Sequence, residues 1–118
     1  MNILFGQKLL SYEMIGNTYH GLSNEPTLQS TTLSLRFSSS RFVIENPYRI
    51  IDTKNKVDET IDTLIGMTVT DFLFTKGVAI KIIFDSNKQI IISLKEEDYS
   101  SPEAASYNPD KGDTVVFN

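Results

Sequence analysis

A chain of 118 residues with 40% hydrophobic and 22% charged residues, 6 glycines and 4 prolines is composed like a globular domain, and one domain is the natural count. The longest apolar run, Val78 to Phe84, contains Lys81 and falls far short of a membrane-crossing helix, and the absence of cysteine removes disulfides and zinc cages. The net charge of -4 is concentrated beyond residue 50, where twelve acidic groups face seven basic ones, opposite in sign to the Lys and Arg clusters that hold nucleic acid.

The first predicted segment, Leu4-Phe5-Gly6-Gln7-Lys8-Leu9-Leu10-Ser11-Tyr12, reappears as Leu64-Ile65-Gly66-Met67-Thr68-Val69-Thr70-Asp71-Phe72, an offset of 60. Asn17 to Gly21, with the sole histidine His20, reads as a polar loop, part of a long connection between Gly16 and Ser30. Thr32 to Ser38 alternates, with Leu33, Leu35 and Phe37 on one face, and predicts a half-buried antiparallel strand. Leu33 to Phe37 lies over Ile80 to Phe84, and Phe42-Val43-Ile44 over Ile90-Ile91-Ile92, at offsets of 47 and 48. The sequence thus predicts two related three-stranded meanders, residues 3–45 and 63–94.

Between them, Val57, Ile61, Leu64 and Ile65 form one stripe at helical spacing, closed by Gly66, and predict one or two turns of helix. Asp58, Glu59 and Asp62 fall on its outer side, near the positive end of the helix dipole. Met67 to Leu94 reads as a hairpin chain turning at Lys76-Gly77 and Asp85 to Lys88, with Val78, Ile80, Ile82 and Phe84 inward. Ile90, Ile92 and Leu94 continue that inner face, while Ile83 and Ile91 make the reverse face partly apolar. Pro102 to Ala105 reads as a single helical turn leading into a last hairpin, Ala105–Tyr107 and Thr114–Phe117, across Asn108 to Gly112. The expected fold is mainly β (α+β): an antiparallel sheet of two related meanders, a C-terminal hairpin, about eight strands and one short helix.

Catalytic chemistry finds few residues to carry it. A Ser-His-Asp arrangement would have to use His20, and paired carboxylates such as Asp98 with Glu103 read as a solvated strand exit. Asp85, Asn87, Gln89 and Glu96 imitate calcium-loop positions, but Ile90 stands where such a loop demands glycine. The glycines are scattered singly and make no phosphate loop. The expectation is a non-enzyme without cofactor, metal, nucleic acid, membrane or small-molecule substrate. Met1 to Gly6 shows no basic leader, so the expected compartment is cytoplasmic.

Leu64 to Asp71, Ile82-Ile83-Phe84-Asp85, Ile90 to Leu94 and Asp98-Tyr99-Ser100-Ser101-Pro102-Glu103-Ala104 together resemble small bacterial proteins encoded beside polymorphic toxins, including immunity proteins of contact-dependent growth inhibition systems. The signature is a strand meander capped by Asp-Tyr, two small residues and Pro-Glu-Ala; Ser101 replaces the more usual glycine before the proline. The resemblance spans about a third of the chain. It implies an immunity protein that neutralises a cognate toxin domain, often a nuclease, in the producing cell. An accessory or structural interaction domain with another protein partner is the alternative. A basic nuclease would be matched electrostatically by Asp58, Glu59 and Asp62, or by Glu96, Glu97, Asp98 and Glu103. Tyr99 and Tyr107 are candidate aromatic anchors, with Tyr99 also readable as a core plug. Arg36 and Arg41 read as dispersed charges.

Overall fold

A computed structural model describes residues 3–20, 26–99 and 101–118, with the side chains of 16–31 outside the description. The chain is mainly β, and the described residues form ten strands in two antiparallel sheets. The strands are β1 (Leu9–His20), β2 (Pro26–Phe37), β3 (Ser40–Ile44), β4 (Tyr48–Asp52), β5 (Val57–Asp58), β6 (Val69–Thr75), β7 (Ala79–Phe84), β8 (Lys88–Ser93), β9 (Ala105–Pro109) and β10 (Val115–Phe117). One sheet runs β1-β2-β3-β9-β10 and the other β5-β4-β8-β7-β6.

Alternation fixes the inner faces. Leu33, Leu35 and Phe37 of β2 and Ile80, Ile82 and Phe84 of β7 are buried in one shared core, joined by Ile90, Ile92 and Leu94. Phe37 stacks on Phe84 across the two sheets, ring centroids 6.3 Å apart. Val78 is the exception: it lies in the turn after β6 rather than on the strand, and is exposed. The turn at Ser86 and Asn87 has positive φ at both residues (62° and 65°), the backbone that two-residue hairpins with right-handed strand twist require.

The two meanders correspond bond for bond. The Gly6 N–H donates to the Val69 carbonyl (2.9 Å) and, sixty residues on, the Gly66 N–H to the Leu9 carbonyl (2.8 Å). Leu9 N–H reaches Met67 while Val69 N–H reaches Gln7, and Lys8 bridges Thr68, its own counterpart. Both glycines have positive φ, and both first strands carry a bulge just after their first residue, between Leu9 and Ser11 and between Val69 and Asp71. The correspondence continues beyond the meanders. β9 pairs with β3 and β10 with β9, as β4 pairs with β8 and β5 with β4. Each half is therefore a five-stranded unit whose last hairpin crosses over to complete the other half's sheet. The crossings are pinned in parallel: Glu45 N–H donates to Ala104 (2.8 Å), and Ser93 N–H to Pro47 (3.0 Å).

Several expectations are corrected. Val57 and Asp58 are extended, and only Ile61–Leu64 forms a 3-10 turn, because the chain must first pair with β4 at Ile51 and Asp52. Ile61 and Leu64 are buried, whereas Val57 and Ile65 are exposed, so the stripe is split between two elements. No helical turn forms at Pro102 to Ala105; the second 3-10 turn is Glu96–Asp98. His20 ends β1 and pairs with Pro26 rather than lying in a loop, and its side chain is outside the described residues. The connection between Gly16 and Ser30 is mostly paired strand, an extension of the β1–β2 ribbon that β6–β7 lacks. Strand β4, whose single alternation the sequence pattern does not set apart, follows a bend at Asn46.

Candidate partner-binding site

The first acidic group gathers at a cleft, and its surroundings are set by the exchange of hairpins. Pairing of β5 with β4 brings Asp58 and Glu59 beside Arg49 and Ile50, and the 3-10 turn adds Ile61 and Asp62. Across from them, β1 contributes Tyr12 and Met14. The cleft has a volume of about 460 Å³, with Tyr48 also in its lining. Tyr12 donates its hydroxyl proton to Asp62 Oδ1 at 2.8 Å. The carboxylate acceptor favours the neutral phenol and raises the Tyr12 pKa above 10.0, and burial raises that of Tyr48.

The other two carboxylates pair with cations of the chain. Asp58 meets Arg49 at 2.8 Å in a pair about 70% exposed on each side, which water and salt screen to about 0–1 kcal/mol. Glu59 lies 3.8 Å from Lys88. Asp58, Glu59 and Asp62 are thus held as a group around an apolar floor, rather than strung along a helix dipole as the sequence suggested.

The second group lies elsewhere. Glu96, Glu97 and Asp98 form the other 3-10 turn, and Asp98 accepts a hydrogen bond from the Ser93 hydroxyl. Asp98 lines an adjoining cleft of about 450 Å³ with Lys81 and Lys95, and this cleft shares Tyr48 and Arg49 with the first. Tyr99 packs on the core with its ring partly exposed and, with Glu96, lines a third cleft; Glu103 is exposed nearby on the chain. Tyr107 sits on β9, partly buried against the core, where its hydroxyl accepts a hydrogen bond from Gln7 Nε2 at 3.4 Å. The clefts of Asp62 and of Tyr99 share no lining residue.

Arg36 and Arg41 are not dispersed, since they are direct cross-strand partners on β2 and β3. Arg36 forms a two-pronged pair with Asp110, both contacts 2.7 Å, which lowers the Asp110 pKa. Arg41 donates to Ser34 Oγ at 2.9 Å.

Tyr12 and Met14 were missed because Leu10 and Ile15 beside them blur the alternation. The signal lay in the repeat itself: Tyr12 aligns with Phe72 and Met14 with Phe74. Among the described residues, no group of three or more His, Cys, Asp or Glu side chains is placed to hold a metal ion, and no helix is long and apolar enough to cross a membrane. Compared with protein-family models, with curated proteins and with solved structures, the chain gives no match.

Proposed function

We propose that the protein is a cytoplasmic, non-enzymatic binding module that neutralises a basic protein partner, in the manner of an immunity protein acting on a toxin domain such as a nuclease. One observation carries this reading: Asp58, Glu59 and Asp62 ring a cleft whose walls include the exposed Tyr12 and Met14. Carboxylates at the edge of a contact accelerate encounter with a basic surface, and large side chains that can be desolvated supply the affinity. A nuclease must be basic where it holds phosphates, so a partner seated here competes with nucleic acid for the same charge. Of the two acidic groups, the first is the stronger candidate, because Asp58, Glu59 and Asp62 line one cleft with Tyr12 and Met14, whereas Asp98 and Glu96 line different clefts.

The test is co-expression with a candidate basic toxin domain, sought in the reading frame next to this one. Growth is expected to be rescued by the native protein and by a Glu96→Gln, Glu97→Gln, Asp98→Asn triple variant. Rescue is expected to fail, or to need far more protein, with Asp58→Asn, Glu59→Gln and Asp62→Asn combined. Equal rescue by both variants would remove this cleft from the contact, and no rescue by the native protein would remove the immunity reading.

A further inference from the structure

The exchanged hairpins give the molecule two equivalent corners, and only one is filled. Where β6 meets β10, Phe72 and Phe74 each pack on Phe117, at 5.7 and 5.5 Å between ring centroids, and Phe42 closes the cluster at 5.9 Å from Phe72. Glu59 bonds to Ile50 as Val115 pairs with Tyr107, so Ile61 stands where Phe117 stands in the other half. The equivalent corner therefore holds Tyr12, Met14, Ile61 and Ile90 in place of four phenylalanines. Phe72 is 4% exposed where its equivalent Tyr12 is 38% exposed, and Phe74 is 38% exposed where its equivalent Met14 is 52% exposed, so the two corners differ most at the inner position. The aromatic plug of one corner is an open cleft in the other. Its rim differs too: Asp58, Glu59 and Asp62 occupy the positions that Thr114, Val115 and Asn118 take opposite.

Beside this corner runs a free sheet edge. Among the described residues, beyond the Lys8–Thr68 bridge β1 pairs with β2 alone, so alternate residues turn their N–H and C=O groups outward without a strand to receive them. Edges are usually blunted by lysine or proline, yet Leu9 to Ile15 has neither and exposes Leu10, Tyr12, Met14 and Ile15.

We propose that an extended basic segment of the partner adds to this edge as a sixth strand of the β1 sheet. It seats one bulky apolar side chain against Tyr12, Met14 and Ile61, and flanking lysines or arginines meet Asp58 and Glu59. Strand addition supplies affinity through the main chain and specificity through alternate side chains, which share one face at every second residue. The charge argues against a second copy of this chain as the occupant, since its own β1 carries no lysine or arginine to meet Asp58 and Glu59. This inference rests on the proposed basic partner and names how that partner docks.

The probe is the capped peptide Thr-Lys-Thr-Phe-Thr-Lys-Thr, titrated into the full chain and followed by amide chemical shifts and tyrosine fluorescence. Saturable binding is expected, with shifts centred on Leu10 to Ile15. One of two N-methylated analogues, blocking alternate backbone donors, should bind about tenfold or more weakly while the other is little changed. Asp58→Asn with Glu59→Gln should weaken the native peptide by about fivefold. Strand addition is overturned if the peptide does not bind, if both N-methylated analogues bind as the parent does, or if a peptide with glutamate for lysine binds equally. It is also overturned, in favour of a second copy, if sedimentation shows a dimer that Met14→Lys abolishes. Should the peptide fail while a folded basic partner still associates through Asp58, Glu59 and Asp62, docking by strand addition falls and the proposed function stands.

Discussion

Tyr12 makes the cleft's chemistry measurable. Its hydroxyl donates to Asp62, so ionising the phenol loses that bond and places two negative charges side by side. The folded-state pKa is raised, so the stability gained from the pair is complete below pH 10.0 and is lost as pH rises through the folded value. Tyrosine titration followed at 295 nm or by ring carbon shifts is expected to show Tyr12 ionising earlier in Asp62→Asn than in the native chain. A Tyr12 titration indifferent to that substitution would contradict the cleft geometry. Asp62 was legible in the sequence as a candidate acid, but its partner fifty positions away was not, because no local pattern specifies that contact.

Two glycines carry the correspondence of the halves at the level of elements. Gly6 and Gly66 have φ of +80° and +87°, each just before a first strand, and an added Cβ would meet nothing within 4 Å. Alanine at either position therefore costs only the left-handed backbone, about 1–2 kcal/mol. Denaturant unfolding is expected to show nearly equal losses for Gly6→Ala and Gly66→Ala. A loss at one position alone would contradict their equivalence. The strand pattern was readable wherever polar neighbours punctuate it, as in Leu33-Ser34-Leu35-Arg36-Phe37, whose apolar members are all buried. It failed at Val57 to Ile65, because a short strand followed by a 3-10 turn places apolar residues at the same spacing as a helix. It failed also at Tyr48-Arg49-Ile50-Ile51-Asp52, where one alternation is too short to stand out. The falling offset was informative: the thirteen residues lost between 60 and 47 are the extension of the β1–β2 ribbon over the three-residue turn at Lys76 to Val78.

At the scale of the whole molecule, exchange of the last hairpins decides where a site can exist. Which sheet a hairpin joins is set by contacts such as Glu45 with Ala104 and Ser93 with Pro47, nearly fifty residues or more apart, and the periodicity of either hairpin is silent about it. Exchange places β5 and its carboxylates across from β1, and β10 with Phe117 across from β6. One corner buries Phe42, Phe72 and Phe117, and the other is a cleft with an acidic rim. That difference puts the proposed binding site on one side of an otherwise repeated fold.

The most direct measurement is the association rate of the candidate toxin domain across a salt series, by stopped flow. The Debye length shrinks from about 30 Å at 0.01 M to about 8 Å at 0.15 M, so steering by exposed carboxylates weakens steeply over that range. The rate for the native protein is expected to fall strongly with salt. Charge reversal at Asp58, Glu59 and Asp62 should lower both the rate and its salt dependence, and reversal at Glu96, Glu97 and Asp98 should change them less. A rate indifferent to salt and to the first reversal, or one governed by the second, would contradict a partner seated at the open corner.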